Sequence, residues 1–137
     1  MKISQKLEYA CRALAQLAKT YDGKTLTRLD DLAQREAVSA NFLVQILNDL
    51  RRGGMIDSRR GASGGYLLSR PASQINLRQI IEAVEPSQLQ NTALDQGESG
   101  PAVRRAWENV STQLTKNLEE ITLESLANST SDPMFYI

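Results

Sequence analysis

SANFLVQILNDLRRGGMIDSRRGASGGYLLSR, residues 39–70, is the stretch that decides how the rest of the chain is read. Its first half has helical periodicity. Phe42, Leu43, Ile46, Leu47 and Leu50 recur at spacings that stack on one face of a helix. Ser39 is a suitable N-cap, and Gly53–Gly54 a suitable stop, because glycine accepts the left-handed conformation in which helices end. The other face carries Ala40, Asn41, Gln45, Asn48 and Arg52, side chains that are short or bear hydrogen-bonding groups. Such side chains can reach base edges and phosphates in a major groove.

The second half reads as a β-hairpin. Met55–Arg60 and Tyr66–Arg70 flank the glycine-rich reversal Gly61-Ala62-Ser63-Gly64-Gly65, with Arg59 and Arg60 where the hairpin would protrude. Between Arg51 and Arg70 there are five arginines against one acid, Asp57. A helix followed by a basic hairpin is the layout of a winged helix-turn-helix, in which the wing sets arginine against the nucleic-acid backbone or in the minor groove. The plainer alternative is a solvated basic hairpin on an ordinary domain.

A chain of 137 residues allows one compact domain plus an appendage. Its 41% hydrophobic and 23% charged content is that of a globular protein. The formal net charge is zero, but its distribution is uneven. Residues 1–84 hold 13 Lys/Arg against 8 Asp/Glu, and residues 85–137 hold 3 against 8. A basic N-terminal part and an acidic C-terminal part suit a DNA-facing unit joined to a separate partner-binding end. No apolar run approaches the roughly 18–20 residues of a membrane span, and no signal peptide is visible, so a cytoplasmic location is expected. One cysteine and no histidine exclude an internal disulfide and a Cys/His metal constellation, so no cofactor is expected. Without histidine or a paired set of carboxylates, an enzyme is the weakest functional class.

Upstream of residue 39, a first helix is predicted from about Ser4 to Thr20, with Ile3, Leu7, Ala10, Cys11, Leu14, Leu17 and Ala18 as its apolar stripe. Cys11 in that stripe reads as a small core residue. Ser4, Gln5 and Lys6 at the helix start could meet a phosphate, or could simply be a solvated helix end. Tyr21-Asp22-Gly23-Lys24 is a turn. Thr27-Arg28-Leu29-Asp30 resembles a capping box, with Thr27 as N-cap of a second helix that reaches about Glu36 and buries Leu29, Leu32 and Ala33. The short Ala37-Val38 link matches a helix-turn-helix connection.

Downstream, Pro71 ends the wing, and Asn76 or Gln74 starts a helix with Leu77, Ile80, Ile81 and Val84 on one side. Glu85–Gly100 reads as a loop. Pro101 suits the first turn of a long helix whose Val103, Ala106, Trp107, Val110, Leu114, Leu118 and Ile121 keep helical spacing. That stripe could pack on a second subunit's copy of the same helix or on its own domain. Thr122 then caps a short helix, Leu123–Asn128. Residues 129–137 are expected to be a flexible tail, although it closes on the apolar Met134-Phe135-Tyr136-Ile137.

Four segments carry a family resemblance: KLEYA in the first helix, LVQILNDLRRGGMI in the third, RRGASGGYLL in the wing and ITLESL near the end. They resemble the bacterial Rrf-two-type transcription regulators over nearly the whole chain, most specifically in the wing motif R-G-x-x-G-G-Y-x-L. The resemblance implies a winged-helix homodimer, joined by the long C-terminal helix, that binds a near-palindromic operator in double-stranded DNA. By position, contacts would fall on Ser39, Asn41, Phe42, Val44 and Gln45 of the recognition helix and on Arg60 of the wing. With the basic and glycine positions read above, the candidate set comprises these together with Ser4, Lys6, Arg51, Arg52, Arg59, Gly64 and Gly65. Val103, Trp107, Val110, Leu114 and Leu118 are the candidate dimerisation residues.

The chain departs from cluster-containing members of that family. They often carry tyrosine and glutamate where Phe42 and Val44 stand here, so base preference does not transfer; valine would touch a thymine methyl where glutamate accepts from cytosine. They also place three cysteines in the segment matching Glu85–Gly100, where this chain has none. Without thiolates an iron–sulfur cluster cannot be held. The cysteine-free loop and the MFYI ending look most like the cluster-free, cysteine-metabolism subgroup. That resemblance implies cysteine synthase as a partner. Such synthases would receive a peptide ending in isoleucine, here Ile137 with Phe135 and Tyr136, in their substrate carboxylate site; alternatively the tail packs on its own dimer.

The expected fold is thus mainly α (α+β). Residues 1–85 form the winged helix-turn-helix unit, 86–100 a loop, 101–128 the dimerisation helix with a short terminal helix, and 129–137 the tail. The leading function is a cluster-free dimeric repressor. The alternatives are a same-fold regulator that senses a small molecule or oxidant directly, with Cys11 as the candidate thiol, or a winged-helix protein-interaction module.

Overall fold

The computed structural model describes residues 2–90 and 94–128. Helix α1 (Gln5–Lys19) begins where Ser4 accepts the Leu7 N–H on its hydroxyl at 3.1 Å, and it buries Leu7, Ala10, Ala13, Leu14 and Leu17. In the following turn the Asp22 carboxylate accepts from the backbone N–H groups of Lys24 and Thr25 and from the Thr25 hydroxyl, at 2.8, 2.7 and 2.6 Å. Helix α2 (Leu29–Glu36) ends on Ala37 in the left-handed region (φ 56°). Helix α3 (Ala40–Arg52) starts at Ser39, whose hydroxyl accepts the Phe42 N–H at 3.2 Å. Leu43, Ile46, Leu47 and Leu50 of α3 are all 1% exposed or less, so its apolar stripe is fully used by its own chain.

One predicted cap is replaced. Thr27 does not cap α2, whose N-cap position is Arg28 with no side-chain bond. Thr27 instead exchanges both backbone hydrogen bonds with Tyr66, each 2.8 Å, adding a bridge to the wing. Satisfying two backbone groups outweighs a single hydroxyl cap, and the helix starts one residue later. The wing itself is β1 (Ile56–Arg59) antiparallel to β2 (Gly65–Leu68), in the register Ile56↔Leu68 and Arg59↔Gly65. Its reversal therefore runs one residue earlier than the glycine pattern suggested.

Asn76 caps helix α4 (Leu77–Val84) through a reciprocal pair with Gln79, and Gln74 belongs to a preceding 3₁₀ turn. A second 3₁₀ turn, Pro86–Leu89, occupies the start of the segment expected to be plain loop. Helix α5 (Gly100–Glu120) is followed by α6 (Leu123–Asn128), where the Thr122 hydroxyl accepts the Ser125 N–H at 3.3 Å. The short extended pieces before α4 and after α5 pair with each other, the Leu77 N–H donating to Ile121 at 3.0 Å and the Leu123 N–H to Ile75 at 2.9 Å. This pairing lays α6 against α1 and buries Leu123 completely. Leu118 of α5 and Leu123 thereby join the one core built by α1, α3, α4 and the wing.

Candidate nucleic-acid interface

With its apolar stripe buried, α3 leaves Asn41 and Gln45 exposed and Val44 and Asn48 half-buried. Phe42, beside Gln45 and Asn48, is also engaged with α1. It is half-buried with its ring edge-on to Tyr9 (centroids 5.7 Å, planes at 82°). Tyr9 is itself held by Gln5, which donates to its hydroxyl at 2.8 Å, and by the Arg12 guanidinium 5.2 Å from its ring centroid. Arg12 also donates to the Glu36 carbonyl at 3.4 Å. Phe42 therefore seats the N-terminal end of α3 on α1.

Two basic grooves flank α3. On one side Lys6 of α1 lies with Nζ 2.6 Å from Asp49 Oδ2, and Arg52 binds the other oxygen of the same carboxylate. These three residues, with Phe42, Gln45 and Asn48, line a groove of about 390 Å³. On the other side Arg51 donates to Ser58 Oγ at 3.2 Å and to Asn48 Oδ1 at 3.4 Å, tying α3 to β1. A second groove, about 370 Å³, is lined there by Arg28, Arg51, Arg59 and Arg60. The Arg59 and Arg60 side chains are exposed and have no ion-pair or hydrogen-bond partner among the described residues.

Sequence reasoning missed Arg28, which donates to the Ala62 carbonyl at the wing tip. Its place follows from the Thr27–Tyr66 bridge, a contact between distant residues that no local pattern announces. Gly64 and Gly65 allow the wing to fold tightly: a Cβ at Gly64 would stand 2.2 Å from the Arg59 carbonyl oxygen, and one at Gly65 2.5 Å from that of Thr27. Arg70 is directed inward, donating to the carbonyls of Gln74 (3.1 Å) and Gly54 (3.0 Å), so it adds little to the outward basic surface. The candidate Ser4 is engaged within the chain. Its hydroxyl caps α1 and donates to Glu85 Oε2 at 2.7 Å, which sets a carboxylate beside the helix start.

Helix α5 differs from α3 in that much of its stripe is open. Val103, Trp107 and Val110 are 51%, 57% and 53% exposed, Leu114 is partly buried, and Leu118 is 7% exposed within the chain's own core. Leu118 is therefore not available to a second subunit. The tail residues Phe135, Tyr136 and Ile137 lie outside the described residues.

The sequence matches the Rrf2 family model, described as an iron-dependent transcriptional regulator, over residues 3–129. The chain belongs to the Rrf2 family. It is 35% identical over 132 residues to Rv1287 of Mycobacterium tuberculosis, given as an HTH-type transcriptional regulator (93% of this chain, 81% of that protein). It is 32% identical to IscR of Escherichia coli K12 (94% and 82%). Among solved structures it is similar to CymR (YrzC), the global cysteine regulator of B. subtilis, with a TM-score of 0.83 and 34% identity over 96% of this chain and 99% of that one. This Rrf2 protein is accordingly a winged-helix transcription regulator, and its relatives are regulators, not enzymes.

The iron named in the family description does not fit the donors present here. The whole sequence has one cysteine and no histidine, and among the described residues no three His, Cys, Asp or Glu side chains gather as a metal site. Burial, reinforced by the charge of Glu8, pushes the Cys11 thiol up from 9.0 to about 11, which disfavours the thiolate that metal binding or oxidation uses. Among the described residues, no helix is long and apolar enough to cross a membrane.

Proposed function

We propose that this Rrf2 regulator binds double-stranded DNA as a homodimer, without an iron–sulfur cluster, and represses genes of cysteine or sulfur metabolism in the cytoplasm. The observation that carries the reading is the pairing of one polar helix face with two flanking basic grooves. In the major groove, Asn41 and Gln45 offer amides of the kind that pair bidentately with adenine, and Val44 offers a methyl contact to thymine. Ser39 keeps a hydroxyl proton to donate. Lys6, Arg51 and Arg52 meet phosphates on either side. Arg59 and Arg60, on the tip that Gly64 and Gly65 allow to turn tightly, form the wing contact.

In this reading residues 1–85 supply the DNA-binding unit and 101–128 the dimer helix, with 86–100 between them. Val103, Trp107 and Val110 of α5 close on the same residues of a second subunit, which covers a half-exposed tryptophan and sets two recognition helices for a near-palindromic operator. The cysteine assignment is supported by the likeness to the B. subtilis regulator and by the cysteine-free loop. Cysteine synthase is the proposed partner, held by Phe135, Tyr136 and Ile137.

Fluorescence anisotropy on duplexes from the protein's own upstream region, with and without cysteine synthase, tests each layer. Specific binding that the enzyme tightens and O-acetylserine relaxes is the expected result. Binding indifferent to the enzyme, or unchanged by deletion of residues 135–137, removes the partner; absence of any duplex binding removes the DNA reading.

A further inference from the structure

Asp49 is an acid in the middle of a surface proposed to meet a polyanion, and simple electrostatics says it should weaken that encounter. Its surroundings give it another task. The Asp49 side chain is only 17% exposed, yet both of its oxygens are engaged, one by Lys6 from α1 and one by Arg52 from the last turn of α3. The cations it joins are much more open, at 40% and 72% of their side-chain surface. Two long, flexible side chains from different helices are thus fixed at the mouth of one groove, beside Gln45 and Asn48. The triad carries a net charge of +1, which matches a single phosphodiester.

We propose that Asp49 is a positioning residue that pre-orders Lys6 and Arg52 into a clamp for one backbone phosphate next to the base contacts of Gln45. The inference rests on the DNA-binding reading above and adds a residue that does not itself touch DNA. Lys6 and Arg52 each have freedom to lose on binding, and holding them in the free protein lowers that loss. Arg52 keeps guanidinium N–H groups beyond those facing the carboxylate, and Lys6 keeps ammonium protons, so both can donate to a phosphate oxygen without leaving Asp49.

The test is one whose sign is decisive. Wild type and Asp49→Asn are titrated by fluorescence anisotropy, at several salt concentrations, against a labelled duplex from the protein's own upstream region and a shuffled duplex of the same composition. If Asp49 positions the clamp, removing its charge weakens binding to both duplexes by about fivefold to tenfold. The salt slope also becomes shallower by about one unit, as for a lost phosphate contact. If Asp49 is merely a repelling charge, Asp49→Asn binds more tightly, and the proposal is overturned. It is equally overturned if the slope is unchanged while only the melting temperature falls, or if binding to the upstream duplex alone weakens, which would place the effect in base reading. Should Asp49→Asn not fold, Lys6→Gln, Arg52→Gln and the double variant replace it. One shared phosphate requires their losses to be non-additive, and additive losses overturn the clamp. A wild-type protein that binds neither duplex defeats the DNA reading and the clamp together.

Discussion

Helices α3 and α5 both carry an apolar stripe at helical spacing, and only one of them buries it. In α3, four apolar side chains are 1% exposed or less, and the helix is fixed firmly enough to leave Asn41 and Gln45 exposed on its other side. In α5, the N-terminal turns leave Val103, Trp107 and Val110 more than half exposed, while Leu114 and the buried Leu118 toward its C-terminal end pack into the core. The periodicity of the two sequences is equivalent. What separates them is the amount of chain available around each: α3 sits between α1, α2, α4 and the wing, whereas α5 packs on α4 near its C-terminal end. An amphipathic stripe says that a helix will bury a face, but not in which molecule the other surface lies.

The largest effect should come from Leu47→Ala, which opens a cavity in the stripe that positions α3. A loss of about 2–5 kcal/mol in urea denaturation is expected. A change under about 0.5 kcal/mol would mean that α3 is not held as its burial indicates. Trp107→Ala should have a comparable effect on a different quantity. With 57% of its surface open, Trp107 contributes little to the single chain, so monomer unfolding should shift by less than about 0.5 kcal/mol. Association measured by sedimentation should weaken by about 2–4 kcal/mol, as for a buried aromatic anchor. Reversal of that pattern, with stability lost and association kept, would erase the distinction between the helices.

The same contrast explains what could be read from the residues alone. The α3 boundaries, the Ser39 cap, the wing strands and the Asn76 cap were legible because each rests on neighbours a few positions apart: a hydroxyl three residues before an N–H, or a glycine run between alternating strands. Thr27 was misassigned because the competing interaction is with Tyr66, a partner far along the chain. The return of α6 onto α1, and with it the burial of Leu118, depends on Ile75 meeting Leu123, which is equally non-local. For the interface, residue types were readable but their engagements were not. Arg59, Arg60 and Arg70 look alike in sequence, and only Arg70 is turned onto backbone carbonyls. Ser4 reads as a phosphate donor in sequence, and only the fold shows its hydroxyl donating to Glu85 instead.

Arg60→Ala tests the outer edge of the firmly held half. Because Arg60 has no partner among the described residues, its loss should leave stability within about 0.5 kcal/mol of wild type. Duplex affinity should fall by about 1 kcal/mol, with a salt slope shallower by about one unit, as for one phosphate contact. Wild-type affinity at every salt concentration would show that the wing makes no such contact.

The smallest effect concerns Cys11, and it asks how closed the α1–α3 half is. Burial raises its thiol from 9.0 to about 11, so the fold favours the protonated form. That contribution to stability is fully present below about pH 9, where the unfolded thiol is also protonated, and is lost as pH rises toward 11. Near neutrality it is therefore silent. The same shift can still be read chemically: at about pH 8 the folded thiol should hold about a hundredfold less thiolate than the unfolded chain, and react with a disulfide reagent correspondingly more slowly. Equal rates in folded and urea-unfolded protein would mean that α1 opens readily at Cys11. The helix that seats Phe42 and presents Lys6 would then be a movable part, and direct thiol sensing would again compete with a protein partner as the regulatory input.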